Sequence, residues 1–96
     1  MNNVVLIGRL TKDVEIRKTT SGKSVTTFTL AVDRGRDAGT DYIQCTAYET
    51  VADNLERFCA KGNLIAVKGR IRVETKETQQ GRRIYTDVIA EHIQYL

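Results

Sequence analysis

Two tyrosines, Tyr42 and Tyr48, and a row of cations at Lys68, Arg70, Arg72 and Lys76 are the residues of this sequence best suited to holding a ligand. An exposed aromatic ring offers a flat apolar face on which an unpaired base can stack, worth about 1–3 kcal/mol per base where truncation has measured it. Cations spaced along a strand can follow a phosphate backbone, with an attraction that ignores sequence and weakens with salt. The same residue types have a plainer use. Tyrosine forms strands well, and Lys and Arg decorate any solvated face. Pattern alone therefore leaves nucleic-acid binding beside protein or small-ligand binding.

Other chemistries find little support. Cys45 and Cys59 are the only cysteines and His92 the only histidine, so a zinc site, which needs about four such ligands, has no cluster to form it. Both cysteines read as core filler, and no metal or cofactor is expected. Gly22-Lys23-Ser24 resembles the end of a phosphate-binding loop, but that loop needs a glycine five residues earlier, where Arg17 stands, and a helix after it, where Val25 opens a strand. No Ser-His-Asp or Cys-His arrangement is present, and Asp33, Asp37 and Asp41 read as loop solvation and protection of a strand end. An enzyme is not expected. The competing possibility, a metal-dependent nuclease built on those three aspartates, would require them to converge.

These residues need a scaffold, and the chain bounds it. With 96 residues, 41% of them hydrophobic, the sequence makes one domain, residues 1–96, with a modest core. Oligomerisation is a reasonable further source of stability. The net charge of +3 leans mildly toward nucleic acid. No apolar run approaches the ~20 residues of a membrane span, and Met1-Asn2-Asn3 lacks the basic start of a secretory signal, so a cytoplasmic protein with no membrane partner is expected.

Most segments alternate with period two. Asn3–Leu10 is a continuous apolar run that suggests a first strand covered on both faces, bent or bulged at Gly8, with Glu15–Lys18 as its continuation after a kink. Thr19–Lys23 turns the chain into a second strand, Ser24–Arg34, with Phe28, Leu30 and Val32 on one face. Gly35–Thr40 reads as a mobile polar loop. A third strand, Asp41–Glu49, puts Ile43, Cys45 and Ala47 on one face, and Tyr42, Gln44, Thr46 and Tyr48 on the other.

Thr50–Ala60 has helical spacing, with Val51, Leu55, Phe58 and Cys59 as one core stripe, Thr50 as N-cap and Gly62 at the C-terminal left-handed position. A fourth strand, Asn63–Thr78, places Ile65, Val67, Ile71 and Val73 opposite Lys68, Arg70 and Arg72. After the turn Gln79-Gln80-Gly81, a fifth runs from Arg82 to Leu96. The order β-β-β-α-β-β predicts an all-β fold: a five-stranded OB-fold barrel with one α-helix between strands 3 and 4.

At these residues the chain resembles the bacterial single-stranded DNA-binding proteins. VVLIGRLTKDVEIR (Val4–Arg17), TTFTLAVDR (Thr26–Arg34), DYIQCTAY (Asp41–Tyr48), ADNLERFCAKG (Ala52–Gly62), VKGRIR (Val67–Arg72) and QQGRRIYTDVIAE (Gln79–Glu91) follow that family's order and spacing over essentially the whole chain. The resemblance implies sequence-independent binding and protection of single-stranded DNA during replication, recombination and repair. Of the positions where the family stacks bases on aromatic rings, two match Tyr42 and Tyr48, while Gly35 and Lys76 stand at two others and offer no ring. Arg34, Arg70 and Arg72 match DNA-contacting positions; Lys68 and Lys76 are added from the strand pattern. Glu74 stands where members often carry arginine. With fewer rings, charge is expected to carry more of the binding.

The family's usual homotetramer implies an oligomer interface at Val4, Val5, Leu6 and Ile7, with a dimer as the lesser possibility, although a closed barrel could also bury this apolar run. Members often continue into a glycine-rich segment with an acidic tip that recruits other proteins. The sequence ends at Leu96 without one, as in a trimmed or naturally tail-less form, so partners recruited through a tail are not expected. The alternative within the same fold is a primosome-type accessory or protein-interaction module.

Overall fold

The computed structural model describes all residues, 1–96. Strands β1 (Val4–Leu10), β2 (Arg17–Lys18), β3 (Ser24–Asp33), β4 (Thr40–Tyr48), β5 (Leu64–Thr78) and β6 (Gly81–Tyr95) form one sheet in the order β1-β5-β6-β4-β3-β2. A further β1–β3 pairing, Arg9 opposite Ala31 and Leu10 opposite Leu30, closes five of them into a ring. All pairs are antiparallel except β4–β6, where Cys45 faces Val88 and Thr46 faces Ile89. This is the expected OB-type barrel, with the helix α1 (Glu49–Phe58) between β4 and β5.

The small strand β2 makes the helix follow the fourth strand instead of the third. Arg17 and Lys18 do not continue β1; they pair with Val25 and Ser24. The segment between β1 and β2 is tied down instead. Thr11 and Thr26 donate their hydroxyls to the carbonyls of Thr29 and Glu15, and Asp13 accepts the N–H of Lys61 at 2.8 Å.

Alternation fixes what each strand buries. Leu10, Leu30, Cys45, Ala47, Ile65 and Val67 line the barrel interior, and Ala52 and Leu55 of α1 plug one end of it. Two glycines allow strands to pass where no side chain fits. A Cβ on Gly8 would strike the Ala31 carbonyl, and one on Gly69 would strike that of Ile89. At Gly69 the β5–β6 ladder also slips, since Lys68 faces His92 while Gly69 faces Ala90, so Glu91 is the extra residue of a bulge.

Several local expectations fail for identifiable reasons. β1 is covered on one face only: Val4 and Leu6 are half-buried, whereas Val5 and Ile7 are exposed. Ile71 and Val73 keep the face predicted for them, but β5 and β6 run past the barrel as a two-stranded arm, so nothing covers them. The helix begins directly at the end of β4, which makes Tyr48 the N-cap, without a side-chain bond, and puts Thr50 inside the first turn. It ends at an extended Cys59, and Gly62 (φ 88°) serves the following turn, where its N–H reaches the Leu10 carbonyl. Phe58 is exposed, edge-on to Tyr95, instead of lying in the core. The Gly35–Gly39 loop is closed by its own bonds, Arg34 N–H to Gly39 and Ala38 N–H to Gly35. No helix is long and apolar enough to cross a membrane.

Candidate nucleic-acid interface

The outward face of β3 and β4 is built from cross-strand pairs: Val25 with Tyr48, Thr27 with Thr46, Thr29 with Gln44, and Ala31 with Tyr42. Two shallow depressions meet on it and share Thr27 and Gln44. One extends toward Lys12 in the anchored 11–15 segment. The other extends to Arg72, Lys76, Tyr85 and Asp87 on the arm. Together they form one trough with a polar floor and the arm as a wall, the position where OB folds hold oligonucleotides.

Both predicted tyrosines lie on this face, at opposite ends of β4 and about 20 Å apart at the usual strand rise. Tyr42 is 70% exposed and makes no aromatic contact. Tyr48 is 37% exposed and held in place. Its hydroxyl accepts a bond from Arg72 Nη1 at 2.6 Å, and the guanidinium carbon lies 5.8 Å from the ring centroid. Arg72 in turn grips Asp87, whose Oδ2 also accepts the Thr46 hydroxyl at 2.6 Å. Thr46 is consequently buried, against the strand alternation, because it bonds toward β6.

The charges of this network reinforce one another. Burial would lift the Asp87 carboxyl, but the bonds from Arg72 and Thr46 outweigh it and hold it below its ordinary value. The bond to Asp87 raises the Arg72 guanidinium, which stays charged. Tyr48 therefore rests on an ion pair that persists throughout the neutral range.

The five predicted cations separate in space. Arg72 and Lys76 line the trough. Arg34 lies at the far end of β3, with Nη2 at 2.7 Å from Asp41 Oδ1, and that bond raises its pKa. Arg70 faces Glu91 of the bulge at 3.6 Å. Lys68 is the cross-strand partner of both Val5 and His92, so it shares the outer face of β1 and not the trough. Asp33 and Asp41 are engaged with the Gly35 N–H and with Arg34, and no three His, Cys, Asp or Glu side chains gather as a metal site would need.

Sequence reasoning missed the polar floor of Thr27, Thr29 and Gln44, the ion-pair role of Asp87, and Tyr85 on the arm. Period-two alternation in the last strand pairs Tyr85 with Asp87 on one face. That signal was available once the strand was assigned.

With this geometry in view, the comparisons with known proteins agree. The model of the single-strand binding protein family matches residues 1–96. The chain is 45% identical over its whole length to single-stranded DNA-binding protein 3 of Listeria innocua, and 45% identical to a single-stranded DNA-binding protein of Enterococcus faecalis. It spans 64% and 54% of those two relatives. It is 48% identical to single-stranded DNA-binding protein 1 of Streptococcus pyogenes, of which it spans 78%. A family match over the full chain and relatives at 45–48% identity lead to one assignment: the chain belongs to the single-strand binding protein family, whose members are not enzymes.

Proposed function

We propose that this chain binds single-stranded DNA with little regard to sequence and shields it during replication, recombination and repair in the cytoplasm. The observation that carries this reading is the continuous trough across β3 and β4 with the Tyr48 ring held at its edge by Arg72 and Asp87. Bases stack on Tyr42 and Tyr48, while Thr27, Thr29 and Gln44 supply hydroxyl and amide contacts between them. Lys76 and Lys12 neutralise phosphate at the two walls.

Arg34, Arg70 and Arg72 each face a carboxylate, so they add less charge than their number suggests. Stacking and floor contacts then carry more of the binding than the sequence implied. A single-strand binder that neutralises Z phosphates loses affinity with a log–log salt slope of about −0.7Z. A slope of roughly −1.5 to −2 corresponds to two or three phosphates and fits this arrangement. Five fully engaged cations would give about −3.5.

The homotetramer belongs to the same reading. The exposed Val5 and Ile7 would meet a second copy, and the half-buried Val4 and Leu6 would support the strand from within. Over Val4–Ile7, β1 pairs with β5 on one side only, which leaves a backbone edge free.

Oligo-dT titration followed by tyrosine fluorescence at several salt concentrations tests the proposal. Tyr48→Ala and Tyr42→Ala should each weaken binding by about 5- to 150-fold, the range that 1–3 kcal/mol per base allows. Binding unchanged in both variants would remove the stacking mechanism.

A further inference from the structure

We propose that the free backbone edge of β5, Val73–Glu77, pairs antiparallel with the same edge of a second copy, in the one register that sets Thr75 opposite itself. The contact is separate from the β1 strip and does not depend on DNA. Past the pair of Val4 with Gly69, β1 no longer covers β5. Asn2 covers one residue more. Its side chain accepts the Ile71 N–H at 2.8 Å and donates to the Ile71 carbonyl at 2.7 Å, as a neighbouring strand would. Both groups of Ile71 therefore point away from β6.

The β5–β6 register runs unbroken from Gly69 to Thr78, so the N–H and carbonyl groups of Val73, Thr75 and Glu77 turn to the same side as those of Ile71. With only β1 and β6 beside β5, they have no strand to pair with. An uncovered edge of this kind is a template for another strand. Apolar surface lies alongside it: Val73 is 58% exposed, and Ile84, across the ladder from Thr75, is 72% exposed.

The charges of the edge select the partner and the register. Glu74 and Lys76 flank Thr75 and share the face opposite Val73. The ion pairs of the arm join Arg72 to Asp87 and Glu74, and Arg82 to Glu77, so Lys76 has none. With Thr75 opposite its own copy, Glu74 of each chain faces Lys76 of the other. The two-fold axis repeats that opposite-charge pair. The adjacent registers set Glu74 against Glu74, or Lys76 against Lys76, and like charges directly opposed are destabilising. One step further out, Glu77 meets Glu77, or the pairing needs the Ile71 edge that Asn2 already holds.

Cysteine cross-linking reads the register, in a Cys59→Ser background because Cys45 is buried. Directly opposed residues of a hydrogen-bonded pair have Cα atoms about 5.5 Å apart, within disulfide reach. Thr75→Cys should therefore form a disulfide-linked dimer under mild oxidation. Val73→Cys and Glu77→Cys should each stay monomeric on a non-reducing gel, since each lies four residues, about 14 Å, from its own copy. Mixed together, those two should link to each other. Adding Thr75→Pro to both removes an N–H from the free edge and none from the β6 ladder, and should abolish the mixed link, with circular dichroism confirming the fold. The same pattern should persist with Ile7→Lys, which separates the contact from β1. Monomeric Thr75→Cys, self-linking at all three positions alike, or a mixed link that survives Thr75→Pro overturns the pairing. Loss of the pattern with Ile7→Lys overturns it as a separate contact.

Discussion

Arg72 and Asp87 meet through two parallel bonds, Nε to Oδ1 at 3.1 Å and Nη2 to Oδ2 at 2.9 Å, across adjacent strands at the edge of the trough. The pair leaves Nη1 for the Tyr48 hydroxyl, so the arginine acts on the ring as much as on any ligand. A guanidinium already bound side-on by a carboxylate offers a phosphate only part of its charge. Asp87→Asn would release most of that charge, leaving only the 3.3 Å contact of Arg72 Nε with Glu74 Oε1. The expected result is a salt slope steeper by about 0.7, one further phosphate, together with a loss of about 1–2 kcal/mol in stability from the weakened pair. Salt-dependent dT titration and urea unfolding of the variant read both. An unchanged slope would mean that Arg72 already contacts phosphate in the parent.

The same pair sets an acid limit. The Asp87 pKa is lowered on folding, so the folded state binds its proton less readily than the unfolded chain. Its contribution to stability is complete above the ordinary value of 3.8 and is lost as the pH falls from there through the lower folded value. Unfolding midpoints measured from pH 6 downward should stay level until about pH 5 and then fall. Asp87→Asn should flatten part of that fall.

Gly69 is a sharper structural test. A Cβ there would overlap the Ile89 carbonyl, which is backbone and cannot rotate away. Gly69→Ala must therefore open the β5–β6 ladder beside the bulge, with an expected cost of about 2–4 kcal/mol, within the range of overpacking and backbone effects. Thermal melting measures it. Gly22→Ala meets nothing within 4 Å and costs only its positive φ of 82°, about 1 kcal/mol, which makes it the control.

Much of this was legible in the residues. Strict alternation in Asp41–Tyr48 placed both tyrosines on one face, and the β-β-β-α-β-β order gave the barrel, because period and order are local properties of a chain. Ion pairing was not legible. Whether Arg72 is free depends on Asp87, fifteen residues away and placed opposite it by the hairpin register. Burial was legible only where the barrel continues. Ile71 and Val73 obey the same alternation as Ile65 and Val67, but the arm has no second layer to cover them. Phe58 failed similarly: on the same helical stripe Leu55 is buried and Cys59 packs against the core, while Phe58 is left exposed beside Tyr95.

The two thiols should differ in reactivity. Cys45 is fully buried, and burial, aided by the Asp87 charge, pushes its thiol up to about 12. Cys59 is only half-buried and is raised by burial alone. A thiolate-directed disulfide reagent at pH 8 should modify one equivalent in the folded protein and the second only in denaturant, with Cys59→Ser removing the first. Two equivalents reacting together in the folded state would contradict the buried position of Cys45.

The last prediction concerns assembly. Val5 and Ile7 are 69% and 55% exposed on β1 and share one face with Arg9, which follows them. Exposed β-branched residues beside a free strand edge invite pairing with another chain, and a monomer would normally carry a charge or proline there. Lys68, the partner of Val5 across the β1–β5 ladder, stands at the border of this apolar strip. If the strip is the contact between copies, Ile7→Lys places an unpaired charge in its centre, and at a buried interface such a charge costs several kcal/mol. Sedimentation should then show the parent as an oligomer and the variant moving toward the 10.8 kDa monomer, with its circular dichroism unchanged because Ile7 faces away from the core. A parent that sediments as a monomer, or a variant that keeps the parent's oligomeric state, would place the assembly surface elsewhere or remove it.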